Sequence, residues 1–448
     1  MANEFSVFSF KEKDELLAKM SELSIEIPFE ENIDILKNTV EVGTKMLKNS
    51  LVVHPMEGCD CNADGSPSEL VYRRYERFAK GGSGMLWMEA CAVSMDGRAN
   101  PRQMHINKEN VGEFTKLVNH IRSCSEGDVY LAVQLTHSGR YAKPGNGLPA
   151  VIAYNNEHLD RFLPENVHII TDEEADALVE KYLEAAILAK QAGFDAVDVK
   201  CCHRYLLSEF LSAYERSGKY GGSFENRTRL FLNIIEKIKE KTDIDIVVRL
   251  SAYDEIPYPN GFGADKEDFR SVDLTETKML VRKLRDMGVK MINVTGGNPY
   301  YNPHVNRPYD AGPYKPPIHQ LNYVYKLLNA AREIKAEVPE LKIVATGFTW
   351  LREYAANIAA GCIKNGWFDM AGFGRQAFAY PDFANDIIKQ GSMQRNKCCV
   401  TCSKCTVMMR DGGVAGCPVR DSEVYLPLYK KGREGKPSAN GTEIKETL

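Results

Sequence analysis

Eight short apolar runs, each stopped by Gly, Pro or polar residues and followed by a segment of helical periodicity, constrain this chain more than any other feature. They are LVVHPM from 51, GMLWMEACAV from 84, YLAVQL from 130, AVDVKC from 196, DIVVRLS from 245, MINVTG from 291, KIVATG from 342 and FDMAGFG from 368. Runs this short and continuously apolar are the mark of strands buried on both faces, as in a parallel sheet. Between them, TDEEADALVEKYLEAAILAKQAG reads as a helix: Thr171 caps it, three acids occupy its first turn and Gly193 closes it. Ala175, Leu178, Val179, Tyr182, Ala185, Ala186 and Ala189 share one face, which gives that helix a side to lay on a sheet. Comparable patterns occupy 68–80, 107–122, 225–240, 273–287, 319–335, 350–363 and 382–390. Eight strand-plus-helix units in about 340 residues predict an α/β chain closed into a (β/α)8 TIM barrel rather than an open sheet.

Two regions stand outside the repeat. Residues 1–35 read as an N-terminal helical extension to a barrel of 36–391, and 392–448 as a short cysteine-rich segment with a polar tail, KKGREGKPSANGTEIKETL. The 57 basic and 61 acidic residues are spread along the 448-residue chain with no basic stripe, which argues against a nucleic-acid partner. The opening residues, MANEFSVFSFKEKDELLAKM, hold no long apolar run, so the expectation is no leader, no membrane partner and a cytoplasmic location. Twelve cysteines in such a chain point to reduced thiols and metal ligands rather than to a disulfide framework.

In a (β/α)8 barrel the C-terminal strand ends face the site. The fourth strand runs into DVKCCHRYLLSEF, where Lys200, His203 and Tyr205 lie close together. An ammonium, an imidazole and a phenol so placed can bind an oxyanion and donate a proton. The following YGGSFENRTR resembles the signature of the old yellow enzyme and 2,4-dienoyl-CoA reductase family of FMN-dependent barrels. VEVGTKMLKNSLVVHPM, VQLTHSGR, VVRLS and MAGFGRQAFAYPDF resemble further segments of that family in the same order, over roughly residues 40 to 420. The resemblance implies that Pro55, Met56 and Glu57 lie against the isoalloxazine ring, with Ala90 and Gln134 at its polar edge. It implies that Arg249 places positive charge where reduced flavin gathers negative charge, and that Gly347, Gly374 and Arg375 cradle the phosphate. Many relatives carry a histidine where this chain has Lys200, while His203 and Tyr205 match the second and third functional positions. After the sixth strand, TGGNPYYNPH offers Tyr300 and His304 as further groups near the substrate.

The segment CVTCSKCTVMMRDGGVAGC spans 399–417. Structural zinc commonly takes two separated pairs of ligands, whereas three cysteines at three-residue intervals followed by a distant fourth beside proline resemble iron–sulfur ligation. Cys399, Cys402, Cys405 and Cys417 fit that spacing, with Cys398 as an alternative to Cys399. Members of the family that include dienoyl-CoA reductase, 2-enoate reductase and trimethylamine dehydrogenase carry a comparable motif for a 4Fe-4S cluster. Those larger relatives continue into a half with GxGxxG fingerprints, which these 448 residues do not hold. The cluster is therefore expected to exchange electrons with a separate donor protein, or to serve as a port beside direct NAD(P)H reduction of FMN. The leading expectation is an ene-reductase acting on a small unsaturated substrate, with Tyr205 as proton donor. The alternatives are an amine dehydrogenase or demethylase resembling trimethylamine dehydrogenase, and a non-catalytic barrel with structural zinc. A homo-oligomer remains compatible with all three.

Overall fold

The computed structural model describes residues 3–145 and 147–436; the last twelve residues of the polar tail, 437–448, lie outside them. Each of the eight apolar runs is a strand: β1 Leu51–Val53, β2 Met85–Ala92, β3 Tyr130–Thr136, β4 Ala196–Val199, β5 Asp245–Tyr253, β6 Met291–Gly296, β7 Lys342–Ala345 and β8 Met370–Phe373. All pair in parallel with their sequence neighbours. Val52 opposite Met85 and Ala371 opposite Leu51 join the ends, so the sheet closes into the predicted barrel. The surrounding helices are α1 Glu69–Lys80, α2 Val111–Cys124, α3 Asp172–Ala192, α4 Phe224–Lys241, α5 Thr275–Asp286, α6 Gln320–Glu337, α7 Ala355–Lys364 and α8 Phe383–Gln390.

Alternation along the strands divides the barrel interior into two layers. Val52, Trp87, Ala132, Ala196, Val247, Met291, Val344 and Met370, one from each strand, form a separate apolar cluster inside. A hairpin of Val40–Val42 and Lys45–Leu47 closes its lower end, and Val42 and Leu47 join the cluster. Residues of the opposite parity, such as Leu51, Val53, Val197, Val199, Val248 and Leu250, pack outward with the helices. Two positions further along, the inward side chains become His54, Gln134, Asp198, Arg249 and Asn293, all buried. The apolar layer fills the barrel, and the polar layer above it is the floor of a site.

The expected cap of α3 is present: Thr171 Oγ1 accepts from the Glu174 amide at 3.2 Å while Glu174 Oε2 accepts from the Thr171 amide at 2.8 Å. Gly193 closes the helix at φ 94°. Two expected helices start late. Asn107 and Asn110 trade side-chain hydrogen bonds to each other's amides at 2.9 and 3.0 Å, which makes 107–110 a turn before α2. Residues Phe348–Tyr354 form a 3-10 helix, kinked at Arg352 with φ 49°, before α7. In the N-terminal region the α-helix is Lys13–Glu22, and Phe8 and Phe10 pack edge-on against Trp350 at 5.4 and 6.2 Å. The cysteine-bearing segment adds helices Lys404–Arg410 and Tyr425–Gly432. Among the described residues, no helix is long and apolar enough to cross a membrane.

Candidate functional site

Asp198 organises the floor. Its carboxylate accepts from Trp87 Nε1 at 2.9 Å, from Gln134 Nε2 at 2.7 Å and from the Arg249 amide at 2.8 Å. Burial outweighs these donors and pushes its carboxyl up to about 6. Fixing one face of the Gln134 amide leaves its carbonyl oxygen for the cavity above, which Gln134 lines with Pro55, Met56, Glu57 and Ala90. Asn293 Nδ2 lies 2.7 Å from His54 Nδ1, which fixes that ring as well.

Above this floor lie two adjoining compartments. Lys200, His203, Tyr205, Tyr300 and Arg375 complete the walls of the inner one. The second is bounded by Pro55, Met56, Arg249, Gly347, Gly374 and Arg375, together with Asn306, Arg307, Thr346 and Thr349. Thus every barrel residue singled out from the sequence lines one or both, except His304. Gly347, at φ 118°, begins the 3-10 helix and turns its backbone toward the cavity in a conformation that a side chain would strain. Buried Arg249 Nε, Arg375 Nη1 and His203 Nε2 have no hydrogen-bond partner within the protein. Donors aimed into a cavity without partners are what a bound polar or anionic group would satisfy.

The loop after β1 is held rigidly. Arg74 of α1 reaches Asp60 Oδ2 and Glu89 Oε1, each at 2.5 Å, and the Gly58 amide donates to Glu89 Oε2 at 2.6 Å. A Cβ on Gly58 would overlap the Arg74 guanidinium, so only glycine allows this approach. Glu57, next in the chain, receives Asn100 Nδ2 at 2.8 Å, and burial pushes its carboxyl up to about 7 against the lowering pull of the Lys200 ammonium.

At the end of β4, His203 and Arg204 both adopt the left-handed region, at φ 62° and 57°. Two consecutive non-glycine residues there are costly, and buried hydrogen bonds hold them. Arg204 donates to Tyr154 Oη at 2.9 Å and to the Asn260 carbonyl at 3.1 Å, and the His203 amide to Ser251 Oγ at 3.1 Å. The turn delivers the Tyr205 hydroxyl to 3.0 Å from the Tyr300 hydroxyl. Burial raises both phenols above their ordinary range. Tyr300 in turn stacks on Tyr141 with centroids 3.8 Å apart. The Lys200 ammonium sits 3.7 Å from the centre of the Tyr205 ring. Its own pKa is lowered by burial. Of the two candidates after β6, Tyr300 therefore joins Tyr205; His304 turns instead to Tyr314 Oη, at 2.5 Å.

Beyond the inner compartment opens a much larger outer cavity of about 1040 Å³, against about 160 Å³ inside. Arg102, Lys143, Arg161 and Arg410 stand around it, with Glu57 as the acid in its wall.

The four spaced cysteines, Cys399, Cys402, Cys405 and Cys417, line one small cavity beside Arg375 and Phe378. Cys398 faces away, its Sγ 3.4 Å from the Gln394 carbonyl oxygen. Among the described residues, the trio of ligand-type atoms lying within 4.8 Å of one another is Glu76, His120 and Cys124, so no three of the four sulfurs are that close together. Sulfurs around tetrahedral zinc would be about 3.8 Å apart. Cys405, Arg375 and Phe378 line both this cavity and the inner compartment.

A family model described as NADH:flavin oxidoreductase / NADH oxidase family matches residues 38–394. The chain belongs to this family. It is the family of old yellow enzyme, as the motifs implied. An NADH oxidase of Thermoanaerobacter brockii is 27% identical over 370 residues, 81% of this chain and 52% of the relative, so the chain spans about half that relative's length. Among solved structures, a 2-naphthoyl-CoA reductase in complex with 2-naphthoyl-CoA superposes with a TM-score of 0.71 at 20% identity, covering 90% of this chain and 58% of that one. A histamine dehydrogenase from Rhizobium sp. 4-9 gives a TM-score of 0.67 at 18% identity, covering 87% and 52%. At those identities the likeness is one of fold.

The residues present fit the flavin of this oxidoreductase family. The unpartnered Arg249 Nε and Arg375 Nη1 are donors that a flavin ring and its phosphate would satisfy, and Gly347 and Gly374 put no side chain into the compartment they line. Sequence reading did not single out Asp198, Asn306, Arg307, Thr346 or Tyr141. Thr346 was within reach as the neighbour of Gly347 in VATGF, but Tyr141 and Arg307 arrive only through folding.

Proposed function

We propose that this oxidoreductase is an FMN- and 4Fe-4S-dependent ene-reductase that reduces a C=C bond activated by a carbonyl group. The reading is carried by the hydrogen-bonded Tyr205–Tyr300 pair beside the Lys200 ammonium on the inner compartment. When bound, FMN supplies a hydride to the β-carbon of the substrate. Tyr205 gives its hydroxyl proton to the α-carbon, and Lys200 and His203 hold the carbonyl oxygen as charge gathers on it. Arg249 favours the anionic reduced ring, while Arg375, Gly347 and Gly374 hold the phosphate.

The spacing of the four cysteines in the chain supports a 4Fe-4S cluster over zinc, as does the fact that they line one cavity without any three sulfurs within 4.8 Å of one another. Cys405, Arg375 and Phe378, shared by both cavities, would form the wall between cluster and flavin. That proximity suits the cluster as an electron port, fed by NAD(P)H through the flavin or by a separate protein. The cations around the outer cavity favour a substrate with an anionic end, and the 2-naphthoyl-CoA complex supports an enoyl thioester or enoate. The histamine dehydrogenase likeness favours amine oxidation as a second reading, but Lys200 and Arg410 would repel a substrate ammonium. The test is an anaerobic screen in which photoreduced enzyme meets enoyl thioesters, enoates, enones and amines. Reoxidation of the flavin by alkenes alone is expected. Flavin reduction of the oxidised enzyme by an amine, with no alkene reacting, would overturn the reading.

A further inference from the structure

Four residues line both the inner compartment and the outer cavity: Glu57, Tyr300, Met409 and Arg410. They form the neck between the two. Tyr205 lines the inner compartment and not the outer cavity, and it is buried. A proton donor in that position empties with each turnover and must be refilled through the neck.

We infer that Glu57 and Tyr300 form a proton relay that refills Tyr205 from water in the outer cavity, an inference that rests on the reading of Tyr205 as proton donor. The Tyr300 hydroxyl is already hydrogen-bonded to that of Tyr205, and Glu57 is the acid in the neck. After Tyr205 has given its proton to the substrate carbon, the Tyr300 hydroxyl proton passes to the Tyr205 oxygen. The Glu57 carboxyl proton passes to the Tyr300 oxygen, and the Glu57 carboxylate takes a proton from water in the outer cavity. One proton moves from solvent to substrate, and no electron is transferred in these steps. Met409, also in the neck, has a thioether that carries no proton to pass on.

The surroundings of Glu57 suit the role. Burial and the Glu89 carboxylate raise its pKa, the Lys200 ammonium and hydrogen bonds from Cys59 and Asn100 lower it, and the balance falls at about 7. Arg74 and Asp60 lie behind Glu89, and Tyr205, Tyr300 and Arg410 face it across the neck. The Glu57 carboxylate is also the charge that most strongly raises Tyr300, so a proton on Glu57 and one on Tyr300 are linked.

The test uses the full-length, flavin-loaded protein with Glu57→Gln, Tyr300→Phe and Tyr205→Phe beside wild type. For each, the ratio of steady-state turnover to single-turnover flavin reoxidation is measured, because a single turnover draws only on the proton already on Tyr205. The ratio is expected to fall about tenfold or more in both Glu57→Gln and Tyr300→Phe, and the wild-type steady-state rate to decline above pH 7 as Glu57 ionises. Infrared spectra of wild type at pH 6 should contain a protonated-carboxyl band that Glu57→Gln lacks. An unchanged ratio in both variants, or no such band, overturns the relay. Wild-type single turnover in Tyr205→Phe would instead overturn the donor assignment. If Glu57→Gln fails to hold flavin, the ratio in Tyr300→Phe decides.

Discussion

The barrel mouth and the cysteine segment satisfy their polar groups in opposite ways. At the mouth, Asp198 alone gathers three donors, and Arg74, Asp60 and Glu89 close a buried ionic network behind the β1 loop. The cysteine segment is fastened by contacts to the barrel and by one of its own. The Asp310 amide donates to the Thr401 carbonyl at 3.2 Å, Arg420 to the Cys398 carbonyl at 3.2 Å, and Arg73 and Arg77 both pair with Asp421 at 2.7 Å. Inside it, burial raises the thiols of Cys399, Cys402 and Cys417 above their ordinary range. A buried set of neutral thiols is a poor core but a ready ligand set, since metal binding deprotonates it. One region satisfies its polar groups within the protein, and the other leaves a set of thiols that a metal would satisfy.

The largest expected effect separates the two regions outright. Cys402→Ala should lose the bound iron altogether while keeping FMN, and Cys398→Ala, whose sulfur faces Gln394, should keep both; iron and flavin analysis after anaerobic purification checks this. Loss of FMN together with iron would mean that the mouth depends on the segment. The Ala415 amide, 2.7 Å from the Gly58 carbonyl, is one hydrogen bond through which that dependence would run. Next in size, Tyr205→Phe should slow flavin reoxidation by alkene on the order of a hundred- to ten-thousandfold while flavin reduction survives, read by stopped-flow under argon. Arg249→Ala should lower the flavin midpoint potential, because it removes fixed positive charge from the place where negative charge develops. A raised potential with FMN still bound would reverse the assigned role.

The smallest effect is on stability. The Glu57 carboxyl is raised from 4.5 to about 7 in the folded protein, so the native state keeps a proton that the unfolded chain releases between those values. That contribution is complete below pH 4.5 and is lost as pH rises through 7. Thermal melting should show wild type losing ground to Glu57→Gln between pH 5 and 7.5 and no further above it. A difference that stays constant with pH would place Glu57 in a more open setting.

How much of this was legible beforehand follows the same division. The eight strands announced themselves because both their faces are buried, and Lys200, His203 and Tyr205 because barrel topology brings strand ends to the site, whereas the other lining residues came through the resemblance to the family. The lower hairpin escaped notice: three residues per strand carry too little alternation to register. Spacing alone groups the four cysteines, whereas folding decides that Cys399 lines their shared cavity and Cys398 turns to Gln394. Tyr300 and His304 stand four residues apart in one loop, and only packing against Tyr141 and Tyr314 separates them. The outer cavity had no local signal at all, because Glu57, Tyr141, Tyr300 and Arg410 come from four distant segments of the chain.

The central claim is that two redox groups occupy adjoining cavities, one in the barrel and one among the four cysteines. Anaerobically purified wild-type protein should contain about one FMN and about four irons per chain, with matching acid-labile sulfide and no zinc. Stoichiometric zinc without iron, or iron without flavin, would contradict it.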